Sequence, residues 1–388
     1  MALPLKYSIR NIFVRWRSTI STILSVMLVV TVWMVMQALA AGLERSGGNT
    51  GDARNFLIVR KGADSESASQ ITRSDLDTIR YAGEIARDTD GQPLISADAL
   101  VVIYLTRTDA SEGGANVIFR GVSPKGIALR PQVHLVEGRW FTPGLREVVV
   151  SRRLATRFAD MHVGGTIKIG ARELKVVGHF EAGGSAFDSE AWMDADEARA
   201  LFDRTNYASV LFRPTDPEAG ARLKKSLEDD KRLVVAVMPE KAYYAEQTKT
   251  AKPISWAGSM LAIAMSIGAV LAAMNTMYAA VGARTREIGT LRVLGFRRRY
   301  VVLTFLIEGA GIALVGGACG CGLAMCFNGY KAGIFNFQTF SESVFELYVP
   351  PSLIPKGLTF SFIVGLVGSL LPALRASRMP VIAALKTA

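Results

Sequence analysis

The chain has 388 residues, half of them hydrophobic, with a formal net charge of +11 and a mean hydropathy of +0.26. Its apolar residues are clumped into long runs, which excludes an ordinary soluble protein of two or three domains. The excess positive charge flanks those runs, while residues 44–252 carry equal numbers of basic and acidic side chains. The charge therefore gives no case for nucleic-acid binding.

Residues 1–18 predict an amphipathic helix lying on the inner leaflet. Leu5, Ile9, Ile12, Phe13 and Trp16 share one helical face, with Lys6, Arg10, Arg15 and Arg17 largely off it. A plain extension of the first span is the alternative. Residues 19–41 form the first predicted transmembrane helix, since about 20 apolar residues cross a hydrocarbon core. This run and Ala38-Leu39-Ala40 also resemble a signal peptide. Its length exceeds the roughly 7–15 residues of a cleavable leader, so it is expected to remain as a span.

Residues 42–253 have soluble composition and predict an α+β extracytoplasmic domain. Strands are expected at Phe56–Arg60, 99–106, 116–122, Glu147–Ser151, Thr166–Ile169, 173–177, 208–212 and 233–237. Helices are expected at 72–81 with a Ser74 cap, 152–158, 194–202 capped by Asp194, and 216–229. The strand-rich middle, about 133–181, reads as a subdomain inserted in another. Residues 242–253 lead back to the membrane as a possible stalk helix, and Pro253 permits a kink.

The second predicted transmembrane helix is 254–281, with Asn275 as an interhelical hydrogen-bonding group. A cytoplasmic loop, 282–300, follows: GARTREIGTLRVLGFRRRY. Ile288, Leu291, Val293 in part, and Leu294 make an apolar stripe, closed by Gly295. It reads as a short amphipathic helix or as a basic loop that only fixes topology. The third helix is 301–327. Glu308 inside it must face protein or snorkel, serving as an ion site or pairing with Arg297 or Arg298. Gly316 and Gly320 give small residues at four-residue spacing, a close-packing face. An outer loop, 328–357, carries Phe335, Phe337, Phe340, Phe345 and Tyr348, which suit an interfacial belt. The fourth helix is 358–374, and 375–388 is a cytoplasmic tail.

Lys and Arg concentrate before the first span, in 282–300 and in the tail. Both termini are therefore expected in the cytoplasm and the large domain outside. Cys319, Cys321 and Cys326 all lie in the third span, so the outer domain needs no disulfide. No G-x-x-x-x-G-K-[ST] run occurs, so no phosphate-cradling loop is expected. His134, His162 and His179 are isolated, and Ser185 lacks a nucleophile pattern. No catalytic, cofactor or metal residues are expected on this chain.

Asn275-Thr276-Met277, the run from Arg284 through Arg286-Glu287-Ile288-Gly289, Leu291-Arg292-Val293-Leu294-Gly295, and Glu308 resemble the core of FtsX-like permeases. That family includes the MacB macrolide-exporter type and the lipoprotein-releasing permeases. The tail from Leu371 to Arg378, with Pro380 and Ala383-Ala384-Leu385, resembles its C-terminal ending. The segment VEGRWFTPGLREVVVSRRLA is similar to its periplasmic core domain.

The resemblance implies a permease subunit of a type VII ABC transporter in the bacterial inner membrane. ATP and Mg would be held by a separate ATPase subunit, although the MacB type carries its ATPase on the same chain. Arg284, Arg286, Glu287, Ile288, Gly289, Leu291, Arg292, Leu294 and Gly295 would form the ATPase-coupling helix. Its apolar Ile288, Leu291 and Leu294 would enter a groove. A second permease copy or paralogue is implied, and for exporters a membrane-fusion protein and an outer-membrane channel. The function implied is mechanotransmission that exports or extracts a lipid, lipoprotein, peptide or drug. Some relatives instead signal or regulate a periplasmic hydrolase.

Overall fold

The computed structural model describes residues 16–108, 113–248, 251–294, 296–336 and 341–379. In chain order its helices are α1 (Trp16–Gly48), α2 (Arg73–Arg80), α3 (Ala195–Leu201), α4 (Pro217–Asp229), α5 (Glu240–Gln247), α6 (Ala251–Ala283), α7 (Thr285–Val293), α8 (Arg298–Met325) and α9 (Leu353–Arg378). Short helical turns occur at Pro124–Ala128 and Arg152–Ala155. The strands are β1 (Phe56–Arg60), β2 (Ile95–Thr106), β3 (Gly114–Val122), β4 (His134–Gly138), β5 (Glu147–Ser151), β6 (Thr166–Ile169), β7 (Arg172–Glu181), β8 (Glu190–Asp194), β9 (Ser209–Phe212), β10 (Val235–Pro239), β11 (Lys331–Asn336) and β12 (Ser341–Glu346). The chain divides into two units. One is Met1–Ala41, Lys252–Tyr330 and Leu347–Ala388; the other is Gly42–Ala251 with Lys331–Glu346. The predicted helix of residues 1–18 lies mostly outside the described residues.

The first unit holds the spans. Among the described residues, four helices are long and apolar enough to cross a membrane. At about 1.5 Å per residue, the 28 residues of α8 exceed the roughly 30 Å of hydrocarbon. Glycine sets the packing. A Cβ on Gly316 would lie 2.8 Å from the Ile23 carbonyl oxygen and 3.0 Å from Val26 Cβ. One on Gly320 would meet the Met27 carbonyl and Val30 Cβ at the same two distances. These residues seat α8 against α1, as the small-residue spacing predicted. Thr31 adds a hydrogen bond from its hydroxyl to the Gly320 carbonyl, at 3.2 Å. Gly309 and Gly317 face Ser369 and Ser361 of α9 instead. Beyond the bilayer-length segments, Gly329 N donates to Leu347 O and Leu347 N to Tyr330 O, both at 2.9 Å. These bonds tie the C-terminal end of α8 to the N-terminal end of α9.

The second unit is built on a sheet of order β10-β1-β9-β2-β3-β8-β5-β7-β4, with β6 on β7. Only the β3–β8 and β5–β7 pairs are parallel. The two predicted subdomains share one strand. Ile95–Asp98 of β2 pairs with β9, and Ala99–Thr106 pairs with β3. The strand-rich part is thus larger than 133–181, because β2, β3 and β8 join it. Both faces of the sheet are covered, which explains strands without polar alternation. Val148 and Val150 of β5 enter a core with Phe119, Leu174 and Met193. Val149 between them enters another with Phe180, Phe187 and Trp192. Ile58, Val210 and Phe212 pack under α2 and α4 in a third.

Caps follow the sequence with one change. Asp194 and Asp216 accept from the backbone N–H of Glu197 and Ala219. The cap of α2 is Thr72, not Ser74: Asp75 N donates to Thr72 Oγ1 at 3.1 Å and Thr72 N to Asp75 Oδ2 at 3.0 Å. This reciprocal box satisfies two backbone donors at once.

The outer loop departs most from expectation. It forms the hairpin β11–β12, with Lys331 opposite Glu346, and Phe335 on it is exposed. It belongs to the second unit. Phe345 is buried there, while Phe337 and Phe340 lie outside the described residues. Short strands with Gly333 and three charges carry no periodic signal of a hairpin.

Under the sheet lies a buried ionic network that composition did not reveal. Arg120 makes paired hydrogen bonds to Glu66, at 2.9 and 3.0 Å, and to Glu190, at 2.7 and 2.9 Å. Arg130 donates to Asp98 at 2.6 Å and to Glu240 at 3.3 Å. Burial pushes Glu66 up, but the Arg120 guanidinium outweighs it and holds the carboxyl below the usual range. Through Glu240, and through Tyr244, whose hydroxyl donates to Glu66 at 3.0 Å, the network fixes α5. That helix is the last element before α6.

Candidate functional site

Helix α7 and its surroundings in the first unit gather most of the sequence-selected residues. Arg284 stands at its N-terminus and points inward. Its Nη1 donates to Glu308 Oε2 at 2.8 Å and its Nη2 to Oε1 at 3.1 Å. The pair is enclosed, with side-chain exposures of 12% and 4%. Glu308 therefore pairs with Arg284, and not with Arg297 or Arg298 as the sequence suggested. The reason is distance along the helix: Arg298 precedes Glu308 by ten residues, about 15 Å of axial rise. Arg284 consequently does not sit on the outer face of the coupling segment. A bidentate guanidinium–carboxylate pair fixes orientation as well as charge.

Ile288 is also turned inward. It is 4% exposed, in a cluster with Met277 and Val281 of α6, Val301 and Phe305 of α8, and Ala373 and Ala376 of α9. Gly289 beside it is buried too. Ile288 is therefore an anchor, and the expectation that it enters a partner's groove is corrected. Leu291 and Arg292 are half-buried, and Arg292 Nη1 donates to the Phe296 carbonyl at 3.3 Å.

The opposite side of α7 faces outward. Arg286, Glu287, Thr290, Val293 and Leu294 are exposed, Val293 at 60% and Leu294 at 70%. At 100° per residue, Ile288, Leu291 and Leu294 span an arc of about 120°. The bundle covers one edge of that arc and leaves the other open. Gly295, expected to close the helix, lies outside the described residues.

The remaining selected residues are packing groups. Asn275 is exposed on α6 and, among the described residues, makes no hydrogen bond to another helix of this chain. Its neighbour Thr276 does, with its hydroxyl 2.7 Å from that of Thr22 on α1. Gln37 bonds Ser255 and Ser259 farther along the same two helices. Sequence reasoning missed Thr22 and Gln37 and gave Thr276 no role of its own, because single hydroxyls and amides in apolar runs carry no periodic mark. In the outer unit His179 is held between Glu137 and the Met161 carbonyl, at 3.0 and 2.7 Å. Its two ring nitrogens are thus engaged structurally.

Comparison with known proteins gives two family-model matches. The MacB-like periplasmic core domain matches residues 19–230, and the FtsX-like permease C-terminal domain matches residues 259–381. A Bacillus subtilis uncharacterized ABC transporter permease, YknZ, is 24% identical over 72% of this chain and 70% of its own length. The macrolide export ATP-binding/permease protein MacB of Rhodopseudomonas palustris is 27% identical over 77% of this chain and 48% of its own. That of Hahella chejuensis is 24% identical over 85% and 55%. The chain spans about half the length of these two MacB relatives. Among solved structures, the YknZ extracellular domain covers 47% of this chain and 99% of its own, with 16% identity and a TM-score of 0.36. The MacB periplasmic region from Actinobacillus actinomycetemcomitans covers 50% and 91%, with 15% identity and a TM-score of 0.38.

Proposed function

Because the chain belongs to the family of ABC transporter permeases with a MacB-like periplasmic core domain and an FtsX-like permease domain, we propose that α7 is its ATPase-coupling helix. The supporting observation is the two-sided character of that helix. One side is fastened by Arg284–Glu308 and Ile288; the other presents Val293 and Leu294 beside Arg286 and Glu287. An amphipathic helix with an exposed apolar edge and a charged rim suits a groove on a partner protein. The partner is a separate ABC ATPase subunit, which binds ATP and Mg. Two permeases, identical or paralogous, pair above two such subunits. Nucleotide-driven closure moves α7, and the fastening makes the helix bundle move with it.

The chain lies in the bacterial inner membrane with both termini cytoplasmic and the large domain periplasmic. The work delivered there exports or extracts a lipid, lipoprotein, peptide or drug. For an exporter, a membrane-fusion protein and an outer-membrane channel complete the path.

The test is ATP turnover of the co-purified ATPase in nanodiscs. Leu294→Asp and Glu287→Arg should each lower permease-stimulated turnover at least tenfold while the permease melts as the wild type does. Leu291→Asp should do the same with some loss of stability, since Leu291 is half-buried. Unchanged stimulation in both Leu294→Asp and Glu287→Arg overturns the assignment.

A further inference from the structure

The hairpin β11–β12 is encoded between the third and fourth spans, yet it folds as part of the outer unit. Its attachment there is specific. The Glu342 carboxylate is 4% exposed and forms ion pairs with both Arg107, just after β2, and Arg157, just after the Arg152–Ala155 turn. Val344 N donates to Ser189 Oγ at 2.7 Å, and Ser189 Oγ donates to Val344 O at 3.2 Å. One hydroxyl thus serves both backbone groups of a single hairpin residue. Glu346 accepts from Arg153 Nη2 at 2.9 Å. Gly333 permits the clamp, since a Cβ there would collide with the Glu342 carboxylate and the Arg157 guanidinium. Val344 and Phe345 are each 1% exposed.

These contacts come from three separate parts of the outer unit and converge on one strand of six residues. We infer that the hairpin is a docked tether: the loop joining α8 to α9 is pinned into the outer domain, with Glu342 as the pin. The outer domain is then connected to the membrane helices by four covalent crossings, at residues 41/42, 251/252, 330/331 and 346/347. The last two would be slack if the hairpin were free. Pinned, they join α8 and α9 to the outer domain as directly as α1 and α6 are joined. This inference stands apart from the ATPase assignment, and its test requires no partner subunit.

The physical basis is desolvation. While docked, a carboxylate this enclosed must keep its cations, because a buried and unpaired Glu342 is strongly unfavourable. Leaving the domain would break both Glu342 ion pairs, the two Ser189 hydrogen bonds and the Arg153 bond, and would bring buried Val344 and Phe345 into water. A two-stranded hairpin is marginally stable alone, so its order depends on what it docks against.

Hydrogen exchange of the full-length chain in nanodiscs tests this. In the wild type, amides of 341–346 should exchange at least about 100-fold slower than in an unstructured peptide. Glu342→Ala should speed them about tenfold or more, and Arg107→Ala with Arg157→Ala should do likewise. Ser189→Ala should release the Val344 amide selectively. Amides of β5 and β8 should stay protected throughout, which separates undocking from unfolding. Glu342→Gln, which keeps the shape and removes the charge, should fall between Glu342→Ala and wild type. Peptide-like exchange of the hairpin in the wild type overturns the inference. So does unchanged exchange in Glu342→Ala, or loss of β5 and β8 protection already in Glu342→Gln.

Discussion

Arg120 shows how much one side chain can hold. It is 1% exposed and carries two carboxylates, Glu66 and Glu190, on one guanidinium. Removing it would strand both anions, which typically costs about 3–5 kcal/mol. Arg120→Ala should therefore destabilise the outer domain by about that amount. Chemical unfolding followed by tryptophan fluorescence checks it, since Trp192 Nε1 donates to Glu190 Oε2 at 2.8 Å. Glu147 reports a milder effect. Arg139, with Nη1 at 2.7 Å, and the backbone N–H of Thr142, at 2.9 Å, hold its carboxyl at about 2. An unfolded Glu titrates near 4.3. This pair's contribution is thus complete above that pH and is lost as pH falls toward about 2. Glu147→Gln should be less stable than wild type at pH 7 by up to ~1 kcal/mol, since Arg139 is largely exposed. The gap should close between about pH 4.5 and 2. The Arg120 pairs could not be read from the sequence, because they join residues 54 and 70 positions apart, and Arg139 meets Glu147 across an irregular turn.

At the scale of elements, periodicity was informative wherever burial had a simple geometry. The apolar runs became α1, α6, α8 and α9, and the glycine spacing around Gly316 became the seat of α8 on α1. Gly316→Ala and Gly320→Ala should each cost about 1–3 kcal/mol through overpacking. Gly322→Ala meets nothing within 4 Å and should be neutral or slightly stabilising. Thermal unfolding in detergent distinguishes them; equal shifts for all three would contradict the packing described. Helix α7 was legible as a helix and as amphipathic, but not as two-sided. A hydrophobic stripe in sequence does not say which partner covers each edge. Ile288→Ala should cost about 2–5 kcal/mol, as buried Ile→Ala changes do, whereas Leu294→Asp should leave stability unchanged.

For the whole molecule, the pattern of Lys and Arg predicts which side of the membrane each loop occupies. A cysteine placed at Arg292, in a background lacking Cys319, Cys321 and Cys326, should react with an impermeant maleimide only from the cytoplasmic side. Reaction from the periplasm alone would reverse the topology and remove the coupling proposal with it. The broad plan of spans and outer domain was readable because it depends on composition over long windows. The attachment of the loop after the third span was not, because it depends on Ser189, Arg107 and Arg157 meeting residues some 150 or more positions later.

That separation has a consequence during synthesis. Residues 42–251 leave the ribosome well before β12, which follows about 90 residues later. At roughly 5–20 residues per second, the delay is on the order of 5–20 s. Through that interval the nascent domain waits with the seat for Glu342 empty. Its last piece arrives only after the third span has been made. A chain stalled in the third helix would leave this domain without its last two strands, since Lys331–Glu346 follow that helix in sequence.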